Sequence, residues 1–292
     1  MKKKKMTTVP LVIILILGVL IVLYPTVSNY YNSFHSSRAI ASYAESVAEM
    51  DNDAYEALWN EAVEYNRSLV GRDNPFYMNE QEMETYRSVL DISGTGVMGY
   101  IDIPKIDCEL PIYHTTEESV LQIAVGHLEG TSLPVGGESS HCVLSGHRGL
   151  PSAKLFTHLD RLEEGDIFLM QILDETLTYE VDQIRIVLPS EVDDLYIVEG
   201  QDLCTLVTCT PYGINSHRLL VRGHRIANPL ALTIRVTADA IRLDPLLVAP
   251  AAAVPILLVL LLWLFTGGST APRRARKVSG SSSRAKKGGN SL

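Results

Sequence analysis

Two uninterrupted apolar runs bracket the chain, and the stretch between them alternates with shorter periods. The first run covers residues 9–24, extendable through Val27, and follows Lys2, Lys3, Lys4 and Lys5. It approaches the roughly 20 residues that a bilayer crossing needs. The second covers residues 245–268 and carries no charge; Pro250 and Pro255 would kink it, which membrane helices tolerate. Between the runs, Ile40, Tyr43, Ala44, Val47 and Ala48 recur at spacings of three and four, as do Tyr55, Leu58, Trp59, Ala62 and Val63. That period predicts helices over residues 33–69, with Asp51-Asn52-Asp53 capping the second. From Gly99 the period falls to two. Strand runs are read at residues 100–104, 109–113, 142–144, 167–172, 177–181 and 183–188, broken by glycine and proline. Such runs predict a closed antiparallel sheet or a sandwich. Residues 120–125 and 155–162 are short helical candidates.

Charge gives the arrangement an orientation. The chain of 292 residues has a net charge of −9. Its two ends, 1–8 and 269–292, hold eleven basic residues and no acid, so the part between stands at −20 (−9 less 11). Basic flanks on both apolar runs predict two membrane spans with both termini cytoplasmic and the middle outside. No small-x-small site follows the first run closely, Ala39-Ile40-Ala41 being the first candidate, so an uncleaved anchor is expected. So acidic a middle argues against nucleic-acid binding. The expected division is a cytoplasmic terminus 1–8, an anchor 9–27, a helical juxtamembrane segment 28–70, a loop 71–78, a strand-rich barrel domain 79–230, a linker 231–244, a second span 245–268 and a basic tail 269–292. Residues 279–292 are serine, glycine and lysine in the main, a low-complexity composition.

The candidate chemistry gathers at residues 205–225. Thr205, Val207 and Cys209 fall on one face of a strand, and Leu206 and Thr208 on the other. Pro211 and Gly213 end that strand, which leaves Cys209 at its exposed end. Leu219-Leu220-Val221 reads as a returning strand that brings Arg218 alongside. A thiol beside a guanidinium could serve as nucleophile and anion stabiliser, although a strand cysteine is more often a small buried hydrophobe. Thr208 could add a hydrogen bond, or merely face its strand neighbours. Of the eight histidines, His147 follows the 142–144 strand between glycines and is well placed to reach another strand end. His127, His141, His217 and His224 rival it by spacing alone. The cysteines at 108, 142, 204 and 209 show no metal-binding spacing. Cys204 and Cys209 face opposite ways on one strand. No structural disulfide is expected, with a Cys108–Cys142 bridge left open. The acidic clusters lack the ligand spacing of a calcium loop, so neither metal nor cofactor is expected.

Thr205-Leu206-Val207-Thr208-Cys209 resembles the Thr-Leu-x-Thr-Cys signature of sortases, and Arg218, nine positions on, also matches. The longer run 209–225 is similar to the pilus-assembling class C sortases, with a resemblance extending over about residues 60–228. It implies a mainly β fold: the eight-stranded sortase barrel with short helices, an N-terminal helical segment and two flanking transmembrane helices. It further implies a cysteine transpeptidase acting on Leu-Pro-x-Thr-Gly-type pilin precursors and joining them to a pilin lysine. Cys209, His147 and Arg218 would be the catalytic residues, with Thr208 in support. Residues 71–78 resemble the class C lid. Asp73, Asn74, Pro75 and Phe76 stand where that family has Asp-Pro-aromatic. Here the acid lies one place early, so Asn74 could hydrogen-bond Arg218 but not pair its charge, and Phe76 is expected to cover Cys209. Two other readings compete: a sortase that anchors proteins to the cell wall (or a plain cysteine protease), and a non-enzymatic surface or pilus component. The lid and second span favour a pilus polymerase. A surface component would carry its own sorting motif before the second apolar run, and none stands near residues 243–245. Papain-like proteases begin a helix with their cysteine and place it before the histidine, the reverse of the order here.

Overall fold

The computed structural model describes residues 2–92 and 94–228. The predicted linker, second span and basic tail lie outside those residues. Backbone proximity divides the chain into residues 1–12 with 243–292, and residues 13–242; every strand and the whole candidate site belong to the second unit.

A single helix, α1 (Lys2–Ala48), runs from the lysine cluster into the first half of the predicted juxtamembrane segment. Over residues 13–34 its apolar and aromatic side chains are exposed: Ile21 is 73% accessible, Val27 62% and Tyr31 61%. Its C-terminal part turns a narrow seam inward, with Ser36 and Tyr43 buried. The Tyr43 hydroxyl donates to the Met98 carbonyl at 2.8 Å and accepts from the Leu173 amide at 2.8 Å. Helix α2 (Asn52–Leu69) begins where the sequence predicts, the Asp51 carboxylate accepting from the Ala54 amide at 2.8 Å. Its buried Asn66 exchanges two hydrogen bonds with the backbone of Leu133. Helix α3 (Glu80–Ser88) opens on a reciprocal cap between Asn79 and Glu82.

Eight strands then close into a barrel: β1 (Val97–Ile103), β2 (Cys108–His114), β3 (Val125–His127), β4 (Ser140–Ser145), β5 (Ile167–Ile172), β6 (Glu175–Val187), β7 (Asp202–Thr210) and β8 (His217–Ile226). Their order around the barrel is β1-β2-β3-β4-β7-β8-β6-β5. The closure matches the expected architecture, but two joints differ from an all-antiparallel sheet: β2–β3 and β4–β7 run parallel. The runs read at 177–181 and 183–188 are one strand. A bulge between Val181 and Gln183 shifts its register, so the sequence alternation breaks there while the strand continues. The candidate helix at 120–125 is displaced to a single turn, α4 (Glu118–Leu121), because Val125 already pairs in β3. The one at 155–162 shortens to a 3₁₀ turn at Leu159–Arg161.

Inward side chains such as Ile101, Leu144, Phe168, Tyr179, Cys204 and Leu206 make the main core. A smaller apolar cluster lies on the outer face of the same sheet: Val143, Val187, Leu195 and Leu220, with Phe76, Leu128, Val192 and Val207 against it. All four cysteines are free. Cys142 stands across the β4–β7 joint from Cys204, not beside Cys108, whose thiol points to the Leu155 carbonyl at 3.7 Å.

Candidate active site

The site forms where three strands end together. In the β7–β8 hairpin the register pairs Cys209 with Arg218 directly. In the parallel β4–β7 joint, Ser145 is level with Val207, and the Gly146 amide extends the ladder by donating to the Val207 carbonyl at 3.0 Å. Carried two residues beyond its last pair, the same register brings His147 level with Cys209, one interstrand spacing of about 4.8 Å apart. Alternation puts both on the outer face, since Val143 and Val207 face the outer cluster. Thr208, facing inward, donates its hydroxyl to the Gly146 carbonyl at 2.8 Å, and so ties the residue before the histidine to the residue before the cysteine.

Each side chain has a defined surrounding. His147 Nε2 lies 3.4 Å from Glu118 Oε2 on α4. Hydrogen bonds from Gln122 and then the charge of His147 hold the Glu118 carboxyl below its usual range. Arg218 donates to the carbonyls of His217 at 3.2 Å and Asn215 at 3.4 Å; among the described residues no carboxylate pairs with it. Its fork keeps unused donors, which suits an incoming carbonyl or oxyanion. On the inner side of the β7 end, an open cavity of about 610 Å³ lies between Arg148, Asp160, Ile186, Thr210, Tyr212 and Leu219.

The 71–78 loop folds onto the outer cluster. Pro75 is buried, and its carbonyl presses so closely on Gly130 that a Cβ there would come within 1.9 Å. Phe76 meets Tyr196 edge-on, ring centroids 5.4 Å apart, and packs on the patch that includes Val207, two residues before Cys209. Arg72 pins the loop by donating to the Tyr77 carbonyl at 2.9 Å and the Glu82 carboxylate at 2.8 Å. Asp73 and Asn74 are exposed, and neither side chain is among the partners of Arg218. The expected Asn74–Arg218 bond is thus not made: Pro75 and Phe76 hold the loop, and the polar pair before them turns to solvent.

Of the rival histidines, His141 is buried in structure. Its Nδ1 donates to the Tyr196 carbonyl and its Nε2 accepts from the Thr205 hydroxyl, both at 2.8 Å. Burial pulls its pKa down to about 4. His127 is likewise buried, bonded to the Tyr86 hydroxyl and the Ser132 carbonyl. His217 contacts Ser216, and His224 lies 3.8 Å from the Asp182 carboxylate. Sequence reasoning missed Glu118, which sits on a four-residue turn with no periodic signal. It also missed Gly130, whose φ of +80° and contact with Pro75 depend on the fold.

A thiol at a strand end, an imidazole level with it and a guanidinium paired across a hairpin define a thiol-centred site on a closed barrel. A family model for the sortase domain matches residues 101–226. Sortase D of Bacillus subtilis is 30% identical over 131 residues, 44% of this chain and 63% of that protein. Crystallised sortase C1 of Streptococcus agalactiae is 54% identical, with a TM-score of 0.64 over 66% of this chain and all of that one. Sortase C of Streptococcus pneumoniae, whose structure was reported for insight into catalysis and pilin substrate specificity, is 44% identical, with a TM-score of 0.58 over 65% of this chain and 97% of that one. The chain belongs to the sortase family of cysteine transpeptidases, among the class C sortases.

Proposed function

We propose that this protein is a membrane-anchored pilus polymerase. Cys209, as thiolate, attacks the threonine carbonyl of a Leu-Pro-x-Thr-Gly-like motif in a pilin precursor. The S–C bond forms, the Thr–Gly C–N bond breaks, and His147 gives a proton to the departing glycine amine. Arg218 donates to the oxyanion, where a fixed cation contributes about 3 kcal/mol. A lysine amine of a second pilin, deprotonated by His147, then attacks the thioester. An isopeptide bond forms and the Cys209 thiol is regenerated. Thr208 keeps the cysteine and histidine strands in step. The observation that carries this reading is the pairing of Cys209 with Arg218 across the β7–β8 hairpin, with His147 two residues beyond the β4–β7 ladder.

The lid of residues 71–78 occupies the outer face that leads to Cys209, so a substrate peptide displaces Phe76 in order to bind. The apolar part of α1 is long enough to cross a bilayer. With a second span at 245–268, both termini would be cytoplasmic and the barrel outside, where exported pilins emerge. The test uses the full chain in detergent, a sorting-motif peptide and a pilin fragment with an exposed lysine. Mass spectrometry should find an acyl adduct on Cys209 and an isopeptide product, both lost in Cys209→Ala and Arg218→Ala. Turnover that persists in Cys209→Ala would refute the mechanism. An adduct that only hydrolyses would refute the polymerase assignment and leave an anchoring or proteolytic enzyme.

A further inference from the structure

The residues after His147 do not return directly to the barrel. They form an excursion, residues 147–158, between β4 and the 3₁₀ turn. Its neck is closed at the histidine: the Phe156 amide donates to the His147 carbonyl at 3.0 Å. The Phe156 ring packs so tightly on Gly146 that a Cβ there would lie 2.7 Å from it. Whatever sets Phe156 therefore sets the backbone on both sides of the His147 amide. Residue 155 cannot do so by itself. Leu155 has a φ of +36°, a left-handed conformation that a branched side chain keeps only when its neighbours hold it.

Those neighbours are held by the membrane helix. Asn32 on α1 donates its amide to the Ser152 carbonyl at 2.9 Å. Asn29, one turn earlier on the same face, accepts from the Lys154 amide at 2.8 Å through its Oδ1. The bonds join segments 120 and 125 residues apart in sequence, and they bracket Ala153, itself 4% accessible. The Lys154 carbonyl then accepts from the Thr157 amide at 2.8 Å. A chain of backbone contacts thus runs from Asn29 and Asn32 through 152–154 and Phe156 to His147. On the opposite side of the same helical turns, Tyr30, Tyr31 and Phe34 are exposed, as suits a helix leaving a bilayer at the depth where aromatic rings gather.

We propose that the juxtamembrane turns of α1 belong to the active site, with Asn29 and Asn32 as positioning residues that hold the 152–156 segment and, through it, His147. The inference rests on the assignment of His147 to proton transfer. It makes the membrane anchor a part of the catalytic geometry as well as a tether: a barrel cut free of residues 29–32 loses the bonds at residues 152 and 154 and keeps those nearer the neck, such as the Gly149 amide to the Thr157 hydroxyl.

The two asparagines use opposite halves of their amides, which gives the test its sign. In the full chain, Asn29→Asp keeps the acceptor that Lys154 needs, whereas Asn32→Asp replaces a donor with an oxygen facing the Ser152 carbonyl. With a sorting-motif peptide, Asn29→Asp should retain kcat. Asn32→Asp, Asn32→Ala and Asn29→Ala should each lower kcat roughly fivefold, the effect of one hydrogen bond, with KM unchanged because no substrate contact is touched. Hydrogen exchange should rise at the Phe156 and Thr157 amides in the same three variants. Equal kcat in Asn32→Asp and the unsubstituted chain would overturn the proposal, as would equal losses in Asn29→Asp and Asn29→Ala. His147→Ala in the same assay separates the two layers. If it leaves turnover intact, the assignment of His147 fails. If it abolishes turnover while Asn32→Asp does not reduce it, the positioning role alone fails.

Discussion

Gly130→Ala should open the lid. An alanine Cβ at 130 would stand 1.9 Å from the Pro75 carbonyl oxygen, under the 3.0 Å below which something must shift, so the lid backbone must retreat by at least 1.1 Å. That retreat draws Phe76 off Tyr196 and the outer cluster. The edge-on ring contact contributes about 1 kcal/mol, and half of the burial of a phenylalanine about another 1 kcal/mol. Losing both shifts the closed–open balance by roughly 30-fold. A separate cost falls on both lid states, because the φ of +80° at Gly130 is unfavourable for alanine by about 1 kcal/mol. Two readouts isolate the lid. Trypsin cleavage after Arg72, which is held in the closed loop by Tyr77 and Glu82, should accelerate. The kcat/KM for a sorting-motif peptide should rise about tenfold, the rest of the shift being masked once the lid ceases to limit binding. Gly137→Ala is the control: its φ of +114° carries the same backbone penalty, with nothing within 4 Å of the added Cβ. It should lose stability and leave both rates alone. Equal rates in Gly130→Ala and the parent protein would refute the reasoning, as would an equal acceleration in Gly137→Ala.

Three further perturbations test the frame around the site. Thr208→Val removes the hydroxyl donor to the Gly146 carbonyl; about 1 kcal/mol of stability should be lost in chemical denaturation, with turnover falling further than a comparable loss elsewhere in the barrel. Tyr43→Phe leaves the Met98 carbonyl and Leu173 amide without their buried partner, and should lower the unfolding free energy by roughly 2 kcal/mol. His141 adds a pH dependence of fixed sign. Burial lowers its pKa from 6.5 to about 4, so below 6.5 the unfolded chain takes up a proton that the folded chain refuses. Stability should fall as pH drops, by roughly 2 kcal/mol between pH 7 and pH 5, and His141→Gln should flatten that part of the denaturation profile.

What could be read along the chain was whatever depends on neighbours in sequence. The alternation from Thr205 to Cys209, ended by Pro211 and Gly213, located the strand end and the cysteine. The return through Leu219 and Leu220 located Arg218, because a hairpin register is a short-range property. Asp51 announced the start of α2 for the same reason. The partners of these residues were a different matter. His147 becomes level with Cys209 through a parallel pairing of β4 with β7, and nothing near either segment encodes a partner some 60 residues away. A three-residue strand such as β3 and a one-turn helix such as α4 are too short for any period to show, so Glu118 stayed hidden. Asp182 interrupted the alternation of β6 and made one strand look like two. Pro75 and Phe76 marked the 71–78 loop, but the seat of Pro75 against Gly130, a glycine between β3 and β4 without a motif of its own, depends on the fold.

The barrel gives its eighth and seventh strands two duties with opposite demands. Inward residues of β7, Cys204, Leu206 and Thr208, stay packed or bonded; of the outward ones, Thr205 is buried against His141, and Val207 and Cys209 are partly exposed. A slip of one residue in the β7–β8 register would exchange these sets, turning Cys209 into the core and breaking the Thr208–Gly146 bond together. The exposure of Cys209 and the stability of the barrel are therefore coupled through register, and the molecule defends that register from several sides. The hairpin pairs eight residues of each strand, His141 ties Thr205 to the segment that carries Tyr196, and Thr208 ties β7 to the turn before His147. The lid exploits the same alternation. The apolar patch on the outer face, Val143, Val187, Leu195 and Leu220 with Val207 against it, is the hydrophobic seat that Phe76 fills. Under the proposed function, a peptide that reaches Cys209 would have to match in apolar contact what Phe76 gives up.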